Sequence, residues 1–209
     1  MNYSHNQIVN LETRFRANLI NSLGGFKSLA LIGTKSHQGN ENLAVISSVF
    51  HLGADPALLG HIIRPNEEKE NTLGNIVQTK VYTINHVLSS FYKQAHQCSA
   101  KYPSGISEFI EVGLQPEYIE GIYAPFVQES NIKFACEMVQ KIDMDLNNTF
   151  IIIGKITKII VPDTFIGKDG FIDLEQAGTL TCSGLDSYHT TSKLARLSYA
   201  KVDKPIQEI

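Results

Sequence analysis

Gly39-Asn40-Glu41-Asn42-Leu43-Ala44-Val45-Ile46-Ser47-Ser48-Val49-Phe50 sets a tight glycine turn before a strand that is small or polar at Asn42, Ala44, Ser47 and Ser48. Small side chains let a flat ligand lie against the main chain, where N–H and C=O groups meet its polar edge. Serine hydroxyls add donors and acceptors. The same pattern also suits a hairpin strand with a polar face. Upstream, residues 26–34 are rich in Leu, Ala and Ile and read as a buried strand. Residues 36–40 are turn chemistry, and residues 43–51 return as a second strand, so the pair predicts a hairpin.

Asp55-Pro56 breaks that strand, and residues 57–63 read as a third. A polar loop from Arg64 to Glu70 follows. Asn71-Thr72 then opens a short amphipathic segment, residues 73–78, which reads as a capped helix. The first N–H groups of such a helix, with Thr72 and the nearby cations Arg64 and Lys69, can hold a phosphate. They equally make an ordinary surface cap. One intervening strand would bring this cap beside the small-residue strand, making two halves of one cradle.

Apolar residues Ile8, Leu11, Phe15, Leu19 and Ile20 predict a helix over 6–22, stopped by Gly24-Gly25. Residues 81–84 read as a fourth strand. Residues 86–128, with Pro103, Pro116, Pro125 and irregular periodicity, read as helices and excursions inserted between strands. The chain then turns β again. Ile132, Phe134, Cys136 and Met138 alternate with polar residues, and residues 149–161 are nearly continuous in β-branched types with a bend expected at Gly154. The tail from 183 to 199 mixes a Gly-Leu-Asp turn with an end expected to be helical. This order predicts a mainly β fold with helices, a β-barrel in a single domain over 1–209 carrying a helical insert at about 86–128. It is not the alternating βαβ pattern of a doubly wound sheet, and no G-x-G-x-x-G is present.

Charge and composition exclude other classes. With 209 residues, 43% hydrophobic and 19% charged, the chain is ordinarily globular. A net charge of −3 without a long basic cluster argues against nucleic-acid binding. The longest apolar runs are too short to span a bilayer, and the polar N-terminus lacks a signal-peptide layout. Cys98, Cys136 and Cys182 form no C-x-x-C pair and read as free thiols in a reducing compartment, so a cytoplasmic protein is expected. Seven histidines show no metal-ligand spacing, and no G-x-S-x-G elbow exists. Neither a metal nor a protein acid, base or nucleophile is expected.

Thr34-x4-Gly39-x2-Asn42-x-Ala44-x2-Ser47, the Asp-Pro, and Asn71-Thr72-x2-Asn75-Ile76 together resemble the flavin reductase-like family of FMN-binding split barrels. The long strand over 149–161 and Gly184-Leu185-Asp186-Ser187-Tyr188 extend the likeness over most of the chain. The resemblance implies a split β-barrel of Greek-key type. It implies an NAD(P)H-dependent reductase that transfers hydride to FMN, with NADH or NADPH as donor. The alternatives are a flavoredoxin-like electron carrier or a non-enzymatic flavin-binding module. Asn42, Leu43, Ala44 and Val45 would line the isoalloxazine edge, mainly through the backbone. Ser47 and Ser48 would face the ribityl chain and phosphate, and Thr72 with Arg64 or Lys69 would bind the phosphate. Asn75 would brace the loop, and Tyr188 would lie near the flavin or the nicotinamide. The chain departs from the family where Asn71 replaces a frequent Asp and Asn148 a frequent His associated with nicotinamide binding. A homodimer is implied, with which the apolar N-terminal helix and barrel face are compatible. A flavin-dependent monooxygenase or an electron-transfer protein is the implied partner. Flavin chemistry accounts for a site without catalytic acids, because the cofactor carries the reaction.

Overall fold

The computed structural model describes residues 1–65, 72–103 and 105–209. Two helices, α1 (His5–Val9) and α2 (Thr13–Leu23), precede the strands β1 (Lys27–Ser28), β2 (Ala30–Lys35), β3 (Glu41–Ile46), β4 (Phe50–Ala54) and β5 (Ala57–Ile63). After α3 (Thr72–Thr79) and β6 (Val81–His86) come α4 (Tyr92–Gln97), α5 (Glu108–Val112), β7 (Pro116–Glu117) and β8 (Phe126–Val127). The long strands β9 (Lys133–Met144) and β10 (Thr149–Ile160), then β11 (Thr181–Ser183) and β12 (Ser187–His189), complete the order.

Seven strands form one antiparallel sheet in the order β3-β2-β6-β9-β10-β5-β4. Its two edges, β3 and β4, are not hydrogen-bonded to each other, so the expected barrel is an open sheet rather than a ring closed by ladders. The predicted hairpin is present, with Gly33 opposite Leu43 and Thr34 opposite Asn42. β2 explains why its sequence is apolar without alternation. Leu29 and Leu31 pack on one side with Val87, Phe91, Phe109 and Leu180. Ala30 and Ile32 pack on the other with Ile76, Tyr82, Ile84, Cys136 and Ile152. Both faces of a central strand are buried, so no polar face is left.

The insert over 86–128 covers one face of this sheet and is fastened by buried polar groups on β6. Thr83 Oγ1 donates to the Pro125 carbonyl at 2.6 Å, and Val127 N–H donates to Asn85 Oδ1 at 2.9 Å. Gly33 lets this contact close: a Cβ there would stand 2.2 Å from the Pro125 oxygen.

Several expected elements differ. The N-terminal helix is two helices, because Glu12 caps the second through the N–H groups of Arg14 and Phe15. The strand expected over 26–34 divides into β1 and β2, which belong to different sheets. The strand expected over 43–51 breaks at Ser47, and β4 crosses to the opposite edge, pairing with β5 across Asp55-Pro56. The tail is extended, not helical, over its last residues.

Candidate functional site

A cavity of about 1170 Å³ opens between β3, the end of β5, α3, the insert and β12. That is above the roughly 300–1,000 Å³ usual for small-molecule clefts, so it can take a ligand larger than a single ring system. Asn42, Ala44, Val45, Ser47, Ser48, Arg64, Thr72, Asn75 and Tyr188 all line it. Residues that lie 146 positions apart in sequence are thus gathered at one concave surface. Leu43 is the exception among the β3 residues: it is fully buried in the core and does not line the cavity. Lys69 and Asn71 fall outside the described residues.

The two halves of the cradle are tied by side chains. Asn42 Nδ2 on β3 donates to Thr72 Oγ1 at the start of α3 at 2.9 Å. One turn further, Asn75 Nδ2 donates to Thr34 Oγ1 on β2 at 3.1 Å, and both of these residues are buried. At positions 42 and 75 the amide NH₂ supplies the donor that each threonine oxygen accepts. Ser48 lies where the chain leaves β3 for β4, and its hydroxyl accepts from Ile62 N–H at 3.0 Å, holding β5 to this corner. Arg64 follows β5 and is exposed, with Nη2 donating to Asn21 Oδ1 at 3.3 Å.

β3 is an edge strand, and its free side belongs to the site. Leu43 N–H donates to Glu108 Oε2 at 2.9 Å, so it points away from β2. The β2–β3 ladder runs without irregularity from Ala30 to Lys35. Main-chain direction repeats every second residue, so the N–H and C=O of Val45 share that outward direction. The edge therefore offers donors and acceptors in a row. The turn into β3 is held by Tyr118, whose hydroxyl donates to Glu41 Oε1 at 2.5 Å.

The far wall contains residues that sequence reasoning missed. His96 on α4 meets the Tyr188 hydroxyl through Nδ1 at 2.5 Å, and Tyr92 tilts against the same ring at 5.7 Å. Burial, followed by the nearby Cys182, pushes the Tyr188 phenol above its usual range. Lys27, Lys101, Glu108 and Cys182 also line the cavity. Cys98 lies beneath, where burial and then Glu108 push its thiol up to about 12. No local pattern marks His96 or Glu108, since their partners Tyr188 and Leu43 are 92 and 65 positions away. His189, adjacent to Tyr188, turns aside to Ser183 and Ser187. The three cysteines are free and buried. Among the described residues no three His, Cys, Asp or Glu side chains gather as a metal-ligand set, and no helix is long and apolar enough to cross a membrane.

This open antiparallel sheet, with a two-part cradle at its β3 edge, has counterparts among known proteins. Residues 26–170 match the model of the flavin reductase like domain. The chain therefore belongs to the flavin reductase-like family, which supports an oxidoreductase that works through a flavin. A split barrel domain protein from Shewanella frigidimarina NCIMB 400 superposes with a TM-score of 0.92 at 52% identity, covering 96% of this chain and 100% of that one. Nitrilotriacetate monooxygenase component B from Bacillus cereus superposes with a TM-score of 0.83 at 20% identity, covering 94% and 98%. Flavoredoxin of Desulfovibrio vulgaris (Miyazaki F) gives 0.71 at 17% identity, covering 97% and 98%. The last two show a shared fold. An uncharacterized protein of Aquifex aeolicus (strain VF5) is 22% identical over 152 residues, 72% of this chain and 76% of its own.

Proposed function

We propose that this protein binds FMN non-covalently in a split barrel of Greek-key type and reduces it with NADH or NADPH. The reading rests above all on the Asn42–Thr72 hydrogen bond, which joins the small-residue strand to the helix start around one cavity. Family membership over 26–170 supports the flavin. FMN held there would supply the redox chemistry, as the acceptor of electrons from a nicotinamide. The chain's own residues bind, orient and exclude water. The outward main-chain groups of β3, the Leu43 C=O and the N–H and C=O of Val45, meet the polar edge of the ring, with Asn42 and Ala44 lining it beside them. Ser47 and Ser48 face the ribityl chain. The first turn of α3, with Thr72 and the cations Arg64 and Lys69, holds the phosphate. Asn75 braces that turn against Thr34. Tyr188 closes the nicotinamide side, where the cavity has room for a second ligand. No residue is assigned as acid, base or nucleophile.

The protein acts in the cytoplasm as a homodimer and hands reduced flavin, or its electrons, to a flavin-dependent monooxygenase or an electron-transfer protein. Titration with FMN and, in parallel, FAD should change the visible flavin spectrum and raise the melting temperature for FMN at lower concentration. No spectral change and no thermal stabilisation by either flavin would sink the proposal. Anaerobic addition of NADH or NADPH to the FMN-loaded protein should bleach the flavin. Tight FMN binding without bleaching by either nucleotide would replace the reductase by a flavoredoxin-like carrier or a non-enzymatic flavin module.

A further inference from the structure

A second, smaller cavity lies back to back with the first, and the short ladder of β1 and β11 is the wall between them. Lys27 stands opposite Cys182, and both line the large cavity. Ser28 stands opposite Thr181, and both line the small one. Opposed residues of an antiparallel pair share a face and successive residues alternate, so the two faces of this ladder serve two different spaces. The small cavity holds about 280 Å³. Ala30 and Ile84 line it from neighbouring strands, and Val49, Leu174 and Leu180 from the surrounding chain. Among the described residues no charged side chain lines it.

His86, at the end of β6 and opposite Ala30, is the principal polar group of this cavity. Its backbone is held on both sides: N–H donates to the Ile132 carbonyl at 2.9 Å, and C=O accepts from Ser130 Oγ at 2.8 Å. The ring meets Phe134 edge-on at 6.4 Å, and Nδ1 meets Thr179 Oγ1 at 3.1 Å. Burial lowers its pKa to about 4, so the imidazole is neutral at neutral pH. The core seals off both nitrogens of His61, but not Nε2 of His86. With Nδ1 engaged, Nε2 is the ring nitrogen left for a ligand. The nearby hydroxyls have committed their protons to carbonyls, Ser28 Oγ to Val49 at 2.9 Å and Thr181 Oγ1 to Lys27 at 2.6 Å.

We propose that this cavity binds a small uncharged molecule with an apolar body and one hydroxyl, which is held at Nε2 of His86. Three features select that class. An apolar lining with a neutral imidazole gives an ion nothing to replace its hydration. An imidazole with one nitrogen engaged offers a single donor or a single acceptor at the other, and a hydroxyl can answer either. At about 30 Å³ for each water-sized group, the volume admits on the order of ten non-hydrogen atoms, one ring or a short chain. A flavin or a nucleotide is too large. The site is therefore separate from the cradle at β3 and does not rest on the flavin reading.

Amide chemical-shift titration of the full chain with benzyl alcohol, toluene and benzoate tests this. Benzyl alcohol should shift the Ala30, His86 and Leu180 amides to saturation, and benzoate should leave them unmoved. Toluene, which lacks the hydroxyl, should bind about fivefold more weakly, the size of one neutral hydrogen bond. His86→Phe keeps an aromatic ring and should remove that difference. Saturating FMN should not displace the alcohol. No saturable shift at these amides, benzoate binding as tightly as the alcohol, or displacement by FMN would overturn the proposal. So would binding that emerges only on dilution, because a side chain from a second copy would then fill the cavity. If His86→Phe does not fold, the wild type decides: equal affinity for alcohol and toluene overturns the site at His86.

Discussion

Replacing Thr72 by Val keeps its shape and removes the hydroxyl on which the two halves of the cradle meet. In the protein that oxygen accepts from Asn42 Nδ2 at 2.9 Å in a partly buried setting. A neutral bond of this kind is worth about 1 kcal/mol, so Thr72→Val should cost about that in stability without ligand. If the same hydroxyl donates to the FMN phosphate, FMN affinity should fall by about 1–2 kcal/mol, roughly 5- to 30-fold. Asn42→Ala breaks the tie from the other side and leaves Thr72 able to donate. It should weaken FMN by no more than about 1 kcal/mol, through looser positioning. The double variant then separates the effects. Its loss of apo stability should be smaller than the sum of the single losses by about 1 kcal/mol, because both remove one bond. Quenching of flavin fluorescence gives the affinities, and urea midpoints give the stabilities. Unchanged FMN affinity in a folded Thr72→Val protein would move the phosphate elsewhere. Strictly additive stability losses would mean that the bond does not join the two halves.

Two further perturbations act on the core behind the site. His61 is buried with neither ring nitrogen meeting a partner among the described residues, and burial lowers its pKa from 6.5 to about 4. The unfolded chain therefore binds the extra proton first. Stability should be fully present above pH 6.5 and should fall by about 3 kcal/mol between 6.5 and 4. His86, lowered to about 4 by the same cause, adds in the same direction. His61→Leu should flatten this part of the urea-midpoint profile; a profile as steep as wild type would deny that His61 is buried and neutral. Gly33→Ala would set a Cβ 2.2 Å from the Pro125 carbonyl and 2.6 Å from Thr83 Oγ1. Forcing this contact apart should cost at least 1–3 kcal/mol and loosen the insert, visible as a lower melting temperature. A melting temperature equal to wild type would mean that the insert is not clamped there.

The hairpin of β2 and β3, the Asp-Pro turn before β5 and the helix after the charged loop were legible because each carries a local signal. A period of two, a turn residue or a helix start depends on neighbours a few positions away. The break of β3 from β4 was not legible, since Ser47-Ser48-Val49 suits a strand as well as a crossing, and the choice is made by β5 pairing back on β4. The tail misled for a related reason. Leu194, Leu197 and Tyr199 have spacings a helix could use, but Pro205 and the pairing of residue 197 with 208 settle an extended hairpin. At the site, the β3 and α3 residues were readable as parts of one motif. His96 and Glu108 were not, because they reach the cavity from the insert, whose docking depends on buried contacts such as Thr83 with Pro125. Lys27 was not, because β1 is placed by its pairing with the distant β11.

The placement of the site follows from the edge position of β3. An edge strand presents unpaired N–H and C=O groups, and a bare one invites pairing with another chain. Here α5 packs along that edge, and Glu108 occupies the Leu43 N–H. A helix does not continue the ladder, so it blocks strand addition without using up the edge. The Val45 groups, one repeat further on, face the cavity instead of a neighbouring strand. A planar ligand with alternating donors and acceptors along one side could pair with such a row as a strand would, and this asks nothing of the side chains except smallness. Ala44 and Ser47 supply it. The helix start at Thr72 then needs only to stand at the correct distance from that edge, which Asn42 and Asn75 set through two hydrogen bonds to hydroxyls. Selectivity for a flavin would thus come from strand geometry, and its anchoring from two asparagines. Substitutions that keep β3 regular and preserve those two amides should be tolerated across the rest of the cavity wall far better than changes at either Asn.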